Sequence, residues 1–143
     1  MTKVVKFGGS SLASAEQFKK VKEIITAESS RRFVVPSAPG KRFSNDTKVT
    51  DMLYGCYDLA AKGKDFSSEF DAIKERYYGI INDLGLDLSL DKEFETIKAC
   101  FIGKAGRDYA ASRGEYLNGI VLANYLGYNL SLIHISEPTR PEP

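Results

Sequence analysis

Residues 3–25, KVVKFGGSSLASAEQFKKVKEII, decide how the chain begins to fold. Val4, Val5 and Phe7 suit a pleated, buried surface, so Lys3–Phe7 is read as a short strand that Gly8-Gly9 brings to an end. Ser10, Ser11 and Ser14 offer helix N-caps, and Phe18, Val21, Ile24 and Ile25 then recur on one helical face with lysines on the other. Strand, glycine turn and helix in that order open an α/β unit.

Working outward, Phe33–Val35 reads as a second buried strand, ended by Pro36, Pro39 and Gly40. Lys41–Asp46 has turn composition and is expected as a mobile loop. From Thr47 the pattern turns helical: Val49, Met52, Leu53, Cys56, Leu59 and Ala60 form one stripe up to Gly63. Phe70, Ile73, Tyr77, Ile80, Ile81 and Leu84 predict the next helix, ending at Gly85 and pairing with the previous one as a hairpin. Leu90–Phe101 is read as a further helix with Ser89 or Asp91 at its start, and Glu115–Leu126 as a short apolar one closed by Gly127, after which a strand is expected. This order favours an α/β fold with a mainly parallel sheet, although two clear strands are too few to close one. No internal repeat is found.

With 143 residues, 43% hydrophobic and 27% charged, the chain has material for one domain or part of one. Twenty basic and nineteen acidic side chains leave a formal charge of +1, so no net field draws in nucleic acid or an anionic membrane. No segment has the apolar length to span a bilayer. Cys56 and Cys100 form no C-x-x-C pair and are expected as reduced, core-filling thiols, and Met1–Phe7 lacks the apolar run of a signal peptide, so the expected compartment is cytoplasmic.

Lys6-Phe7-Gly8-Gly9-Ser10-Ser11 places a cation at a strand end with two residues lacking a Cβ just beyond it. Exposed amides at such a turn stabilise phosphoryl oxygens, and an ammonium neutralises their charge. By spacing alone, a strand-ending glycine pair beside a solvated lysine is the commoner reading. Neither G-x-x-x-x-G-K-[ST] nor G-x-G-x-x-G is present: Gly40-Lys41 is followed by Arg42, with no glycine at the required distance before it.

KFGGSS at 6–11, VVPSAPGKR at 34–42, TKVTDML at 47–53 and ASRGEYLNG at 111–119, in this order, resemble the signature blocks of aspartate kinases in the amino acid kinase superfamily. The resemblance covers nearly all of residues 1–129. It implies a partial, truncated, three-layer carbamate kinase-like fold. It also implies that Lys6 is the catalytic, phosphate-contacting lysine and that Gly8, Gly9 and Ser10 bind ATP phosphates. Ser37, Thr50 and Glu115 would then bind the substrate, L-aspartate, with Glu115 on its ammonium group. Without the family, Ser37 is a turn residue, Thr50 a capping hydroxyl and Glu115 a solvated carboxylate in the first turn of a helix. Asp51 is ranked first as a cap, and Arg113 and Lys41 as surface cations, although either could approach the phosphates. One position departs from the family pattern: Pro36 stands where an N–H donor is more usual, which bears on the register of Ser37.

The implied reaction moves the γ-phosphoryl of ATP, with Mg2+, to the β-carboxylate of aspartate. That nucleophile is ionised near neutral pH because an unperturbed carboxyl has a pKa of about 4, so no general base is required. The absence of His and Cys from the motifs agrees with this, and no protein metal ligands are expected. Aspartate-binding and catalytic residues, most of the adenine pocket and the regulatory domains would lie downstream, and the parent would be a homo-oligomer. Competing readings are another amino acid kinase, against which the T-D-x-L and S-R-G-E blocks speak, and a non-catalytic phosphate-binding module.

Residues 130–140, LSLIHISEPTR, resemble a translated transposase adapter from sequencing-library preparation. Residues 1–129 are therefore expected to be the amino-terminal part of the catalytic domain, and 130–143 a non-native, disordered tail. His134, the only histidine, falls in that tail and is expected to have no role.

Overall fold

The computed structural model describes residues 3–27 and 31–127. The strand expected after Gly127, the adapter-like tail and His134 lie outside these residues.

Strand β1 (Lys3–Lys6) and strand β2 (Arg31–Val35) pair in parallel, with Val4 opposite Phe33, Val5 opposite Val34 and Lys6 opposite Val35. Phe7 extends the pairing through its N–H, which donates to the Val35 carbonyl at 3.0 Å. Helix α1 (Ala15–Thr26) connects the strands, preceded by a 3-10 turn over Gly9–Leu12. Ser14 occupies the N-cap of α1, but its hydroxyl makes no capping bond. Phe18, Val21 and Ile25 are buried as expected, whereas Ile24 is 47% exposed. It lies at the margin of the stripe, where a helical wheel places it one step beyond the covered face.

Four helices follow: α2 (Val49–Ala61), α3 (Ser67–Asp83), α4 (Asp91–Ile102) and α5 (Arg107–Leu126). Helices α2 and α3 stop just before Gly63 and Gly85, where the sequence predicts, and pack against one another. Helix α4 begins beside Ser89, whose hydroxyl accepts from the Asp91 N–H at 3.3 Å. Edge-to-face contacts join Phe70 to Phe66, Phe94 and Phe101, and Tyr57 to Phe101, in an aromatic centre between α2, α3 and α4. Cys56 fills space in this core, where burial, assisted by Glu69, pushes its thiol up to about 12. Cys100 is only half-buried, at the margin of the core.

Helix α5 begins well before the expected Glu115. Its first half, RDYAASRG, lacks an apolar period because it packs with small residues: Ala110, Ser112 and Gly114 are buried. The Gly106 N–H donates to the Tyr57 hydroxyl at 2.8 Å, and Arg107 pairs with Asp58 at 3.1 Å, so α2 fixes where α5 begins. Glu115 is therefore a mid-helix residue and not a first-turn carboxylate.

Candidate active site

Both strands end on the same side, as parallel strands must, and the loops that leave them are joined. The Gly40 N–H donates to the Gly9 carbonyl at 2.8 Å. The backbones meet so closely that a Cβ on Gly40 would lie 2.7 Å from the Gly9 carbonyl carbon and 2.9 Å from the Ser10 nitrogen. Glycine at 40 is thus what lets the first loop lie directly on the second. The Val49 N–H donates to the Pro39 carbonyl at 3.1 Å, which fastens the start of α2 to the same place. Ligands of open α/β sheets bind beyond the carboxyl ends of the strands, where this junction stands.

An open cleft of about 540 Å³ lies there, lined by Gly9, Ser10, Ser37, Ala38, Pro39, Gly40, Lys41, Lys48, Thr50 and Glu115. Five of the residues singled out in the sequence, Gly9, Ser10, Ser37, Thr50 and Glu115, meet around it. Gly8 and Lys6 do not line it. Gly8 precedes the 3-10 turn and accepts the Ser11 N–H at 3.1 Å, and Lys6 is exposed at the end of β1. Pro36 is buried without displacing Ser37 from the cleft.

Helix α5 reaches the cleft because it packs tightly on the Ser37–Pro39 turn. A Cβ on Gly114 would fall 2.7 Å from the Ala38 Cβ and 3.3 Å from the Leu53 Cδ1, so only glycine admits this approach. Around that contact the buried Tyr77 hydroxyl donates to the Gly114 carbonyl at 2.8 Å, and Asn118 Nδ2 donates to the Ser37 carbonyl at 2.7 Å. Tyr77 is wholly buried, and its phenol is pushed well above the ordinary value by desolvation, so it remains a neutral donor. Glu115 is thereby presented to the Ser37 loop by the same helix that ties it down.

Several residues differ from their expected places. Arg113 is half-buried, with its guanidinium between the rings of Tyr109 and Tyr116 at 4.7 and 4.6 Å and donating to Ser112 Oγ, outside the cleft. Asp51 is exposed in the first turn of α2, whose N-cap, Lys48, carries no side-chain capping bond. The loop expected to be mobile is held: Asp46 accepts from Arg42 Nε at 2.6 Å and Nη2 at 3.0 Å. Arg76 donates to both ends of that loop, at Gly40 and Thr47. Lys48, Arg76 and Asn118 carried no signal of their own in the sequence. Lys48 and Asn118 stand inside the quoted blocks TKVTDML and ASRGEYLNG without being singled out, and Arg76 lies within a helix read for its apolar stripe.

The cleft chemistry is that of a site for anions beside a cation. Two lysines, a glycine-bounded turn and hydroxyls from Ser10, Ser37 and Thr50 suit phosphate and carboxylate oxygens. Among the described residues, Glu115 is the only acidic one on its wall, and it suits an ammonium group. The crowded Gly9–Gly40 junction, where a Cβ on Gly9 would meet the Ala38 carbonyl at 3.0 Å, keeps backbone within reach of a polyphosphate.

Residues 1–138 match the Amino acid kinase family, and the chain belongs to that family. It is 39% identical over 132 residues to aspartokinase 3 of Bacillus subtilis, covering 88% of this chain and 29% of that protein. It is 32% identical over 136 residues to the chloroplastic aspartokinase 1 of Arabidopsis thaliana, covering 88% of this chain and 23% of the relative. The crystal structure of Clostridium acetobutylicum aspartate kinase superposes with a TM-score of 0.84 at 48% identity, over 87% of this chain and 29% of the other. The chain therefore spans less than a third of the length of these relatives.

Proposed function

We propose that this chain is the amino-terminal part of an aspartate kinase, an ATP-dependent phosphotransferase that converts L-aspartate to 4-phospho-L-aspartate. In that role it would serve the first step of lysine, threonine and methionine biosynthesis in the cytoplasm. The observation that carries the reading is the meeting of Gly9, Ser10, Ser37, Thr50 and Glu115 in one cleft, from four separate stretches of sequence. The naming of its relatives as aspartokinases supports it.

In this reading the Gly8–Ser10 turn and Lys6 receive the phosphates of ATP. Ser37 and Thr50 orient the acceptor, and Glu115 takes its ammonium group. The β-carboxylate of aspartate is already ionised at neutral pH, since its unperturbed pKa is about 4, and attacks the γ-phosphorus directly. The bond from that phosphorus to the β–γ bridging oxygen breaks, and ADP leaves with its electron pair. The protein's task is to align two mutually repelling anions and to neutralise charge on the phosphoryl oxygens as they move. Magnesium, when bound, adds positive charge to the phosphates. With a single carboxylate on the cleft wall among the described residues, this part of the chain would hold the ion through the nucleotide.

The parent fold is proposed to complete a three-layer, mainly parallel sheet from segments after residue 129, with residues 130–143 not native to it. The parent would assemble as a homo-oligomer. The test is ADP release by the intact enzyme, recovered as a full reading frame, with ATP and a panel of acceptors. Turnover that depends on L-aspartate is expected. Turnover with another carboxylate or a carbamate in its place, and none with aspartate, would overturn the proposal.

A further inference from the structure

We infer that Arg76 is a positioning residue of this site, which closes the Lys41–Thr47 loop and so sets Lys41 and Lys48 against the anionic ligands. The inference rests on the kinase reading of the cleft and adds a residue that does not touch it.

Arg76 belongs to α3, whose other buried residues are Phe70, Ile73, Tyr77, Ile80 and Ile81. It is only 6% exposed. A buried guanidinium is tolerated when its donors are met and its charge is opposed. Nη2 donates to the Gly40 carbonyl at 2.7 Å and Nη1 to the Thr47 carbonyl at 2.9 Å, with the Asp46 carboxylate 3.6 Å from Nη1. These two carbonyls bracket the loop: Gly40 is bonded to Lys41 and Thr47 to Lys48, and both lysines line the cleft. Gly40 is also the residue that presses on Gly9, and Lys48 is the N-cap of α2. A single planar fork therefore joins the phosphate turn, the loop and the start of the helix that carries Thr50.

Stability alone accounts poorly for this placement. Arg76 Nε is buried with no acceptor among the described residues, and an incompletely satisfied buried charge contributes little or adversely to stability. What it does supply is geometry, because two donors in a rigid plane fix the separation of two carbonyls. Lysine at this position would keep the charge but present one tetrahedral ammonium, which cannot reproduce the fork.

The test uses the intact enzyme with Arg76→Lys, with Lys41→Met and Lys48→Met together as a single lysine-site variant, and with the double variant that combines the two, varying aspartate and ATP separately and recording thermal melting. Arg76→Lys is expected to raise KM about tenfold for at least one substrate, the loss of one charge-assisted contact, with a smaller change in kcat. A rise for aspartate assigns the lysines to its carboxylate, and a rise for ATP assigns them to phosphate. Because Arg76 acts through the lysines, the double variant should be no worse than the poorer single variant. A lowered melting temperature with both KM values unchanged, or multiplicative effects in the double variant, would overturn the inference. If Arg76→Lys does not fold, Asp46→Asn loosens the same loop from its outer side and must raise the same KM. An unchanged KM there is equally decisive against it. Failure of the kinase reading shows differently, as wild-type enzyme without aspartate turnover. The comparison is then made by titrating inorganic tripolyphosphate, with weaker binding to Arg76→Lys expected and equal binding contradictory.

Discussion

Lys6 stands exposed at the end of β1, beside the turn that bounds the cleft, so its proposed contribution is charge delivered to a moving phosphoryl group and not packing. Lys6→Ala in the intact enzyme is expected to lower kcat by about a hundredfold or more while shifting KM for aspartate little, as for other electrostatic transition-state groups. Steady-state kinetics with unchanged turnover would remove Lys6 from the reaction. Glu115→Gln removes the negative charge proposed to face the ammonium group, and KM for aspartate should rise about tenfold, about 1.4 kcal/mol, while KM for ATP holds. The opposite ranking would take Glu115 out of the acceptor site. At Gly114 the constraint is steric: the new methyl of Gly114→Ala would meet the Ala38 Cβ at 2.7 Å. A loss of about 1–3 kcal/mol in denaturant unfolding is expected, together with weaker aspartate binding as α5 is displaced from the Ser37 turn. Among single residues, Ser37 and Glu115 were legible only through the family resemblance of their motifs. A serine in a turn and a glutamate on a helix have ordinary alternatives, and nothing local distinguishes them.

Among the elements, those with a clean apolar stripe or a strong stop signal were legible: β1, α2, α3 and the ends of α2, α3 and α5. The first half of α5 was not, because small residues that permit close packing leave no hydrophobic period to read. The Lys41–Thr47 loop was illegible for another reason. Its order comes from Arg76, far along the chain on α3, and the polar composition of Lys41–Asp46 gives no sign of it. Within the loop the Arg42 guanidinium, hydrogen-bonded to Asp46, holds that carboxyl below the ordinary carboxylate range. A depressed folded-state value means that the contribution to stability is complete above the unfolded pKa of about 3.9 and fades as pH falls through the folded value. Amide exchange of the loop should therefore be constant from neutral pH down to about 4 and quicken in stronger acid, beyond the change in intrinsic rate. Asp46→Asn should abolish that transition, and an unaltered acid profile would contradict the assignment.

For the whole molecule, the sequence order announced an α/β unit, and the parallel pairing of β1 with β2 bears out its opening. How the sheet continues was not legible, because the described residues hold two strands, few for an independent parallel sheet. The 143-residue chain, expressed alone, is accordingly expected to show no phosphoryl transfer to aspartate, since in the proposed function later segments of the parent would complete the acceptor and nucleotide sites. Measurable transfer by this chain would show that the cleft suffices. The most direct measurement is a crystal structure of the intact enzyme with L-aspartate and a non-hydrolysable ATP analogue. The prediction is the aspartate ammonium within hydrogen-bonding distance of Glu115, with the terminal phosphate between Lys6 and the Gly8–Ser10 turn. Both ligands bound elsewhere, with Lys6 and Glu115 on ligand-free surfaces, would contradict it.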